Sequence, residues 1–301
     1  MTLRIRNIKE LEAAMAADQS LVGADMRGAN MLGANMLGAD MREAFLVNAV
    51  MRGANMRGAN MSGACLYQAD MFGANMRYAN MRDADMGGAN MCGADMNDAD
   101  MCNAYLSNAD LRDADMRGAN MRNTSFISAN MRGASMRGAN MRNTNFAGAN
   151  MRGADMRGAN MYDANLSEAD LRGANMSTTN FSGALMRGAD MRGAILPEGI
   201  PTIKYIHQTI YAAASQPGAL NMENWHICET THCRAGWVIA LAGEAGKSLE
   251  KELGAPAAAA LIYYASDPAL EKVPDFYEGN AATLADMRRL AEMEAAATND
   301  H

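Results

Sequence analysis

The sequence predicts a mainly β solenoid followed by an all-α domain, and three observations carry that prediction. From Ala24 to Leu196 a five-residue phrase, A-(N/D)-M-R-G, recurs without a slip in register. It supplies thirty-five consecutive small-then-bulky pairs, from Ala24/Met26 to Ala194/Leu196. The phrase then stops at Leu196-Pro197, and all four His and both Trp lie beyond it. A period of five fits neither an α-helix at 3.6 residues per turn nor a strand at 2. A fixed period points instead to a solenoid, whose units bury their apolar faces only against their neighbours.

Residues 1–20 read as an N-terminal cap over the first open end of that solenoid, since an uncovered edge invites growth. Asn7-Ile8-Lys9-Glu10 has the spacing of a capping box, with Asn7 as N-cap and Glu10 reaching back. A short helix to about Ala17 would then present Ile8, Leu11 and Met15 as its apolar stripe. The segment is too polar for a signal peptide.

Residues 21–196 form the repeat region. The small position is Ala thirty-two times and Thr three times, at Thr124, Thr144 and Thr179. The bulky position is Met twenty-five times, Leu seven times and Phe three times. This pattern resembles the pentapeptide-repeat family, with consensus A-(D/N)-L-x-x, over roughly three-fifths of the chain. The resemblance implies a right-handed quadrilateral β-helix with four pentapeptides per coil, Ala and the bulky residue inside and the other three outside. Thirty-five units would make about nine coils, a rod roughly 40 Å long at about 4.8 Å per coil. Met in place of Leu fills the interior while specifying it less rigidly.

Sorting the bulky positions by twenties tests the coil within the sequence itself. One column reads Met26, Leu46, Leu66, Met86, Leu106, Phe126, Phe146, Leu166, Met186: six of nine are not Met, against four of twenty-six elsewhere. The outward neighbours of that column are also unusual. Arg follows the bulky residue at two of its nine positions, against fifteen of twenty-five on the other walls. Phe45, Val47, Cys65, Tyr67, Tyr105, Ile127 and Leu185 stand there instead, and together they form the candidate partner-binding face. The expected occupant is a protein: a foreign partner, the C-terminal domain, or a second copy in a homodimer.

Charge divides along the rod. Residues 21–196 hold seventeen Arg, fifteen Asp, two Glu and no Lys, so the net charge of −7 arises from residues 197–301. An acidic band comprises Asp83, Asp85, Asp95, Asp98, Asp100, Asp110, Asp113 and Asp115. Some members of the family that the repeats resemble imitate the charge of duplex DNA and bind topoisomerases. Inhibition of such a DNA-acting enzyme is therefore an alternative function, although the surrounding Arg interrupts the acidic surface. Direct nucleic-acid binding is not expected from a neutral rod in an acidic chain.

Residues 197–301 read as a C-terminal helical domain, long enough to bury its own core. Helical stretches are expected near Lys204–Ala214, Thr231–Leu241, Gly246–Leu253, Pro256–Ala265 and Ala281–Ala295, with Pro256 in a first turn. This tail resembles those of phage and bacterial pentapeptide-repeat proteins. Its densest segment contains His226, Cys228, His232 and Cys233, which are zinc-type ligands without the paired spacing of common zinc modules. Metal binding or a Cys–His activity is a third reading; core packing with Trp225 and Trp237 is the plainer one, and no cofactor is expected. If Thr230 or Thr231 caps the helix here, Cys233 and Trp237 share its inner face.

No P-loop, dinucleotide fingerprint or triad motif is present. The leading expectation is a non-enzymatic scaffold: a rigid rod presenting a helical domain and binding surfaces to another macromolecule. Five Cys without a disulfide framework, a Met-rich interior and no apolar run of eighteen point to a reducing cytoplasm and no membrane.

Overall fold

A computed structural model describes residues 2–222 and 232–299. The logic of the repeat lies in where its backbone donors go. In Asp25–Ala29 the Asp25 N–H reaches back to Leu3 O at 2.8 Å, while the Met26 and Gly28 N–H groups reach forward to Phe45 O and Val47 O, both at 2.8 Å. Ala29 N–H closes the turn onto Met26 O at 3.1 Å, and Arg27 N–H finds the Asp25 side-chain oxygen at 3.3 Å. All five donors are used, so the Asn or Asp of the phrase supplies the one acceptor that the backbone does not. Parallel bridges link each Asn/Asp position to the residue twenty further on, from Asp25↔Phe45 to Asn175↔Ile195. Four repeats therefore make one turn of the solenoid, and each wall contributes a single bridged residue per turn.

The fifth residue turns the corner with a left-handed backbone, which explains the frequent Gly, as at Gly28 with φ 64°. Asn and Asp occupy many of the remaining corners, and Glu43, Gln68 and Tyr78 adopt the same conformation at φ 56–58°. On one edge Asp83, Asn103, Asn123 and Asn143 form a ladder, each Asn amide donating to the residue twenty positions earlier at 3.0–3.2 Å.

Inside, the Met, Leu and Phe side chains are buried from Met26 to Met191. The three Thr at the small position lie in the same repeats as the three Phe, and their hydroxyls are satisfied. Thr124, Thr144 and Thr179 donate to the carbonyls of Met101, Met121 and Met156 at 2.8, 2.6 and 2.8 Å. Phe126 and Phe146 stack with ring centroids 5.2 Å apart, filling the interior where the sequence column departs from Met.

At the N-terminal end, α1 (Ile8–Ala16) begins at Asn7, whose side chain accepts from Glu10 N–H. Glu10 reaches back one residue further than the capping-box pattern, accepting from Arg6 N–H at 2.7 Å. Leu11 and Ala14 are buried, with Ile8 and Met15 packed against the core.

Beyond the repeats lie α2 (Ile206–Ala214), α3 (Arg234–Leu241), α4 (Gly243–Leu253), α5 (Ala255–Ser266) and α6 (Asn280–Asn299). Helix α5 is central: Ala257 through Tyr264 are all buried, with α3 and α4 against it and α2 against α6. This domain continues the hydrogen-bond ladder of the last coil. Gly183 and Gly188 donate to Leu253 O at 2.7 Å and Val273 O at 2.8 Å, where a further coil would otherwise provide the acceptors. Val273 N–H returns a bond to Ala189 O at 3.0 Å, and Ser182 Oγ donates to Glu252 O at 2.9 Å. Ion pairs Arg187–Asp275 and Lys272–Glu168, at 3.0 and 2.8 Å, flank the junction. Among the described residues no helix is long and apolar enough to cross a membrane.

Candidate functional site

The bridge ladder Asp25↔Phe45↔Cys65↔Asp85↔Tyr105↔Ser125↔Asn145↔Asn165↔Leu185 runs down a single wall. It brings four of the seven candidate residues together: Phe45 and Val47 on one coil, Cys65 and Tyr67 on the next. Phe45 and Tyr67 are 47% and 45% exposed, so this is apolar surface open to solvent. Tyr105, 60% exposed, and Ile127 stand further along on adjacent coils. Leu185 stands apart, three coils past Ile127. It lies in a small cleft of 220 Å³ with Pro256, Phe276 and Tyr277 of the helical domain.

Two local features keep this wall apolar. Phe45, Cys65 and Tyr105 replace the Asn or Asp whose side chain normally takes the N–H two residues on. The Tyr67 ring lies over Gly87 of the next coil, 3.2 Å from where a Cβ would stand, so a larger residue there would displace the ring.

Sequence reasoning missed the apolar residues on the other walls. Phe72, Tyr78 and Tyr162 are exposed too, but guanidinium groups cover them: Arg52 over Phe72 at 4.9 Å, Arg142 over Tyr162 at 4.6 Å, and Arg57 and Arg77 beside Tyr78 at 5.4 and 5.5 Å. Phe45 has only Arg27 at 6.0 Å, and among the described residues no guanidinium lies over Tyr67 or Tyr105. The legible signal was Arg on the neighbouring coil, twenty residues earlier, as in Arg52/Phe72 and Arg142/Tyr162.

The acidic band encircles the rod. Asp95, Asp100, Asp110 and Asp115 are bound by Arg77, Arg82, Arg112 and Arg117 at 3.9, 3.1, 2.6 and 2.6 Å. The Arg112 and Arg117 side chains hydrogen-bond their partners, and the Asp110 and Asp115 carboxyls sit below the usual range; at Asp115 burial is the largest single effect and pushes upward, but the bonds from Arg117 and Asn97 together outweigh it. Asp83, Asp85, Asp98 and Asp113 form no ion pair among the described residues; Asp85 stands at a bridge position and the other three at three different corners.

In the helical domain, His226 and Cys228 lie outside the described residues, as do Trp225, Thr230 and Thr231. Helix α3 starts later than expected, and Cys233 is itself its N-cap: the sulfur accepts from Gly236 N–H at 3.3 Å. Burial pushes the Cys233 thiol pKa up, which disfavours the free thiolate that a nucleophile must supply. His232 is buried edge-on against Trp237 with ring centroids 4.8 Å apart, and Trp237 donates to Ala219 O at 3.0 Å. Cys92 and Cys102 occupy opposite walls, as two repeats of separation require.

A stack of bridged five-residue turns with an apolar interior and a largely polar exterior defines a β-solenoid whose chemistry lies on its outer faces. The pentapeptide repeats family matches in overlapping segments, from residues 16–46 to 159–196, and the chain belongs to that family, whose members form right-handed β-helices. HetL, a pentapeptide repeat protein involved in heterocyst differentiation regulation from the cyanobacterium Nostoc, is 28% identical with a TM-score of 0.34, covering 64% of this chain and 98% of its own. QnrB1, a plasmid-mediated fluoroquinolone resistance protein, is 18% identical with a TM-score of 0.35, covering 66% of this chain and 86% of its own. A thylakoid-lumen pentapeptide repeat protein of Arabidopsis thaliana is 34% identical with a TM-score of 0.19, over 40% of this chain and 70% of its own. Comparison with curated proteins returned no match.

Proposed function

We propose that this protein is a non-enzymatic interaction scaffold: a rod of about nine coils, roughly 40 Å long, that presents a helical domain and binds a protein partner. The observation that supports this most directly is the contiguous patch of Phe45, Val47, Cys65 and Tyr67, extended by Tyr105 and Ile127. These residues share a wall on which the rings of Tyr67 and Tyr105 lack the guanidinium cover that aromatics carry elsewhere. An open apolar surface on a largely polar rod is what a partner's side chains can desolvate. The cytoplasm suits a Met interior that oxidation to sulfoxides would disrupt.

The alternative, imitation of DNA charge toward an enzyme such as a topoisomerase, has less support. A phosphate mimic needs carboxylates in a row, whereas the four of the band without an ion pair among the described residues stand at one bridge position and three different corners. The Cys–His reading is weaker still, because Cys233 has a raised thiol pKa and a capping role.

The test uses the full chain. Partners are identified by quantitative cross-linking in cells, and Tyr67→Arg/Tyr105→Arg is compared with Asp98→Arg, which leaves the wall untouched. The proposal expects cross-links to the same partner to fall by about tenfold with the first variant and to persist with the second. Cross-links unchanged in Tyr67→Arg/Tyr105→Arg would discard the wall as the binding face.

A further inference from the structure

The helical domain is seated on the rod so that a second concave surface opens at their junction, away from the tyrosine patch. It is a cleft of 840 Å³ between Arg187 and Gly188 of the last coil, the segment 266–275, and one side of α6. Its apolar lining comes from Leu270, Val273, Leu290 and Met293; the first three are buried, and Met293 is 59% exposed. The volume lies within the range that holds a bound ligand or anchors a few side chains.

The electrostatics of the cleft select the occupant. Seven carboxylate side chains line it, against three cationic ones. The cations are already committed: Arg187 to Asp275 at 3.0 Å, Lys272 to Glu168 at 2.8 Å, and Arg289 to Asp286 at 2.6 Å. Two of the remaining acids have local work. Asp267 meets His207 Nε2 at 2.9 Å, and Glu294 accepts from the N–H groups of His207 and Gln208 at the start of α2. Glu278 forms no ion pair among the described residues. The Glu271 side chain is 82% exposed, and among the described residues its one ion-pair partner is Arg192 at 3.5 Å. Carboxylates thus outnumber cations along an apolar lining, with Glu278 unpaired among the described residues and Glu271 held by Arg192, in the part of the chain that carries the whole net charge of −7.

We propose that this cleft docks a basic segment of a protein partner, with apolar side chains seated on Leu270, Val273 and Met293 and cationic side chains meeting Glu271 and Glu278. Negative potential over the domain steers such a segment inward, and the apolar floor distinguishes it from a purely electrostatic contact. A small anion is repelled here, and a purely apolar segment would leave the rim charges unmatched. Arg187 and Gly188 belong to the far end of the tyrosine wall, but the cleft uses none of Phe45, Val47, Cys65, Tyr67, Tyr105 and Ile127, so each surface stands or falls separately.

The test is fluorescence anisotropy on the full chain with a labelled peptide of alternating leucine and arginine. Controls replace arginine by glutamate in one peptide and leucine by serine in another. Only the first peptide is expected to bind with micromolar affinity, weakening as salt is raised. Glu271→Lys/Glu278→Lys and, separately, Met293→Ser are each expected to weaken it about tenfold. Asp83→Lys/Asp98→Lys, the same charge change on the rod, is expected to alter it less than about twofold. Equal loss with the rod variant would reduce the effect to net charge and overturn the proposal. So would equal binding of the serine or glutamate peptide, or no binding at all. Loss with Tyr67→Arg/Tyr105→Arg would move the peptide to the wall and also overturn it. If sedimentation shows a self-association that Glu278→Lys abolishes, the occupant is a second copy and the proposal fails.

Discussion

The three Thr in the rod interior occur only with the three Phe, which predicts a measurable coupling at Thr144 and Phe146. Thr144 is buried, and its hydroxyl donates to Met121 O at 2.6 Å. Losing that bond costs about 1 kcal/mol, and the Met121 carbonyl is not orphaned, because Thr124 N–H also reaches it at 3.3 Å. Thr144→Ala removes a buried methyl as well, so about 2 kcal/mol in all is expected. Phe146→Met breaks the stack on Phe126 and leaves the ring's volume partly unfilled, for about 2 kcal/mol more. Thr and Phe are both larger than the Ala and Met they replace, so reverting one alone leaves a gap beside the other. The double variant restores the Ala–Met arrangement found in most of the rod, and should cost about 2 kcal/mol rather than about 4. Urea unfolding followed by far-UV circular dichroism on the wild type, both singles and the double gives the cycle. Costs that add to within about 0.5 kcal/mol would refute the coupling.

Three further outcomes are expected. Glu43→Gly and Gln68→Gly relieve left-handed corners and should each stabilise the rod by about 1 kcal/mol, whereas Tyr78→Gly should gain less because it forfeits Arg57 and Arg77; lowered midpoints in the first two would contradict the corner argument. Hydrogen bonds from Arg42, Arg112 and Arg157 hold the carboxyls of Asp40, Asp110 and Asp155 below their usual range. A depressed folded pKa adds stability above the unfolded value and loses it as pH falls through the folded one, so the melting temperature should hold from pH 7 to about 5 and drop below about 4. A flat profile down to pH 2 would contradict it. In iodoacetamide labelling at pH 8, read by mass spectrometry, Cys65 on the open wall should react well before the buried, raised-pKa Cys233.

Much of the fold was legible because the repeat is local. The small and bulky positions name the interior, Asn or Asp at the bridge position supplies the side-chain acceptor, and Gly two residues after the bulky side chain marks the corner. The column from Met26 to Met186 is one wall, since Phe45, Cys65 and Tyr105 belong to the same bridge ladder. Less was legible in the helical domain, where contacts are distant in sequence. Cys233 looked like an inner-face residue of α3 and is its N-cap, because the helix starts at Arg234. Arg234 itself is buried, held by Asp286 at 2.7 Å and Tyr263 at 3.1 Å, partners fifty-two and twenty-nine residues away.

By itself the sequence determined the period, the inside and outside of each repeat, the unusual wall and the boundary at Pro197. Those properties follow from the identity of each residue and its neighbours within five or twenty positions. Only the tertiary structure decided that Leu185 lies in a cleft with Pro256, Phe276 and Tyr277 of the helical domain. It also decided that the helical domain supplies Leu253 O and Val273 O to the last coil, opening a cleft where the two meet. These depend on where long side chains and a non-repeating domain come to rest, and a local pattern cannot encode that.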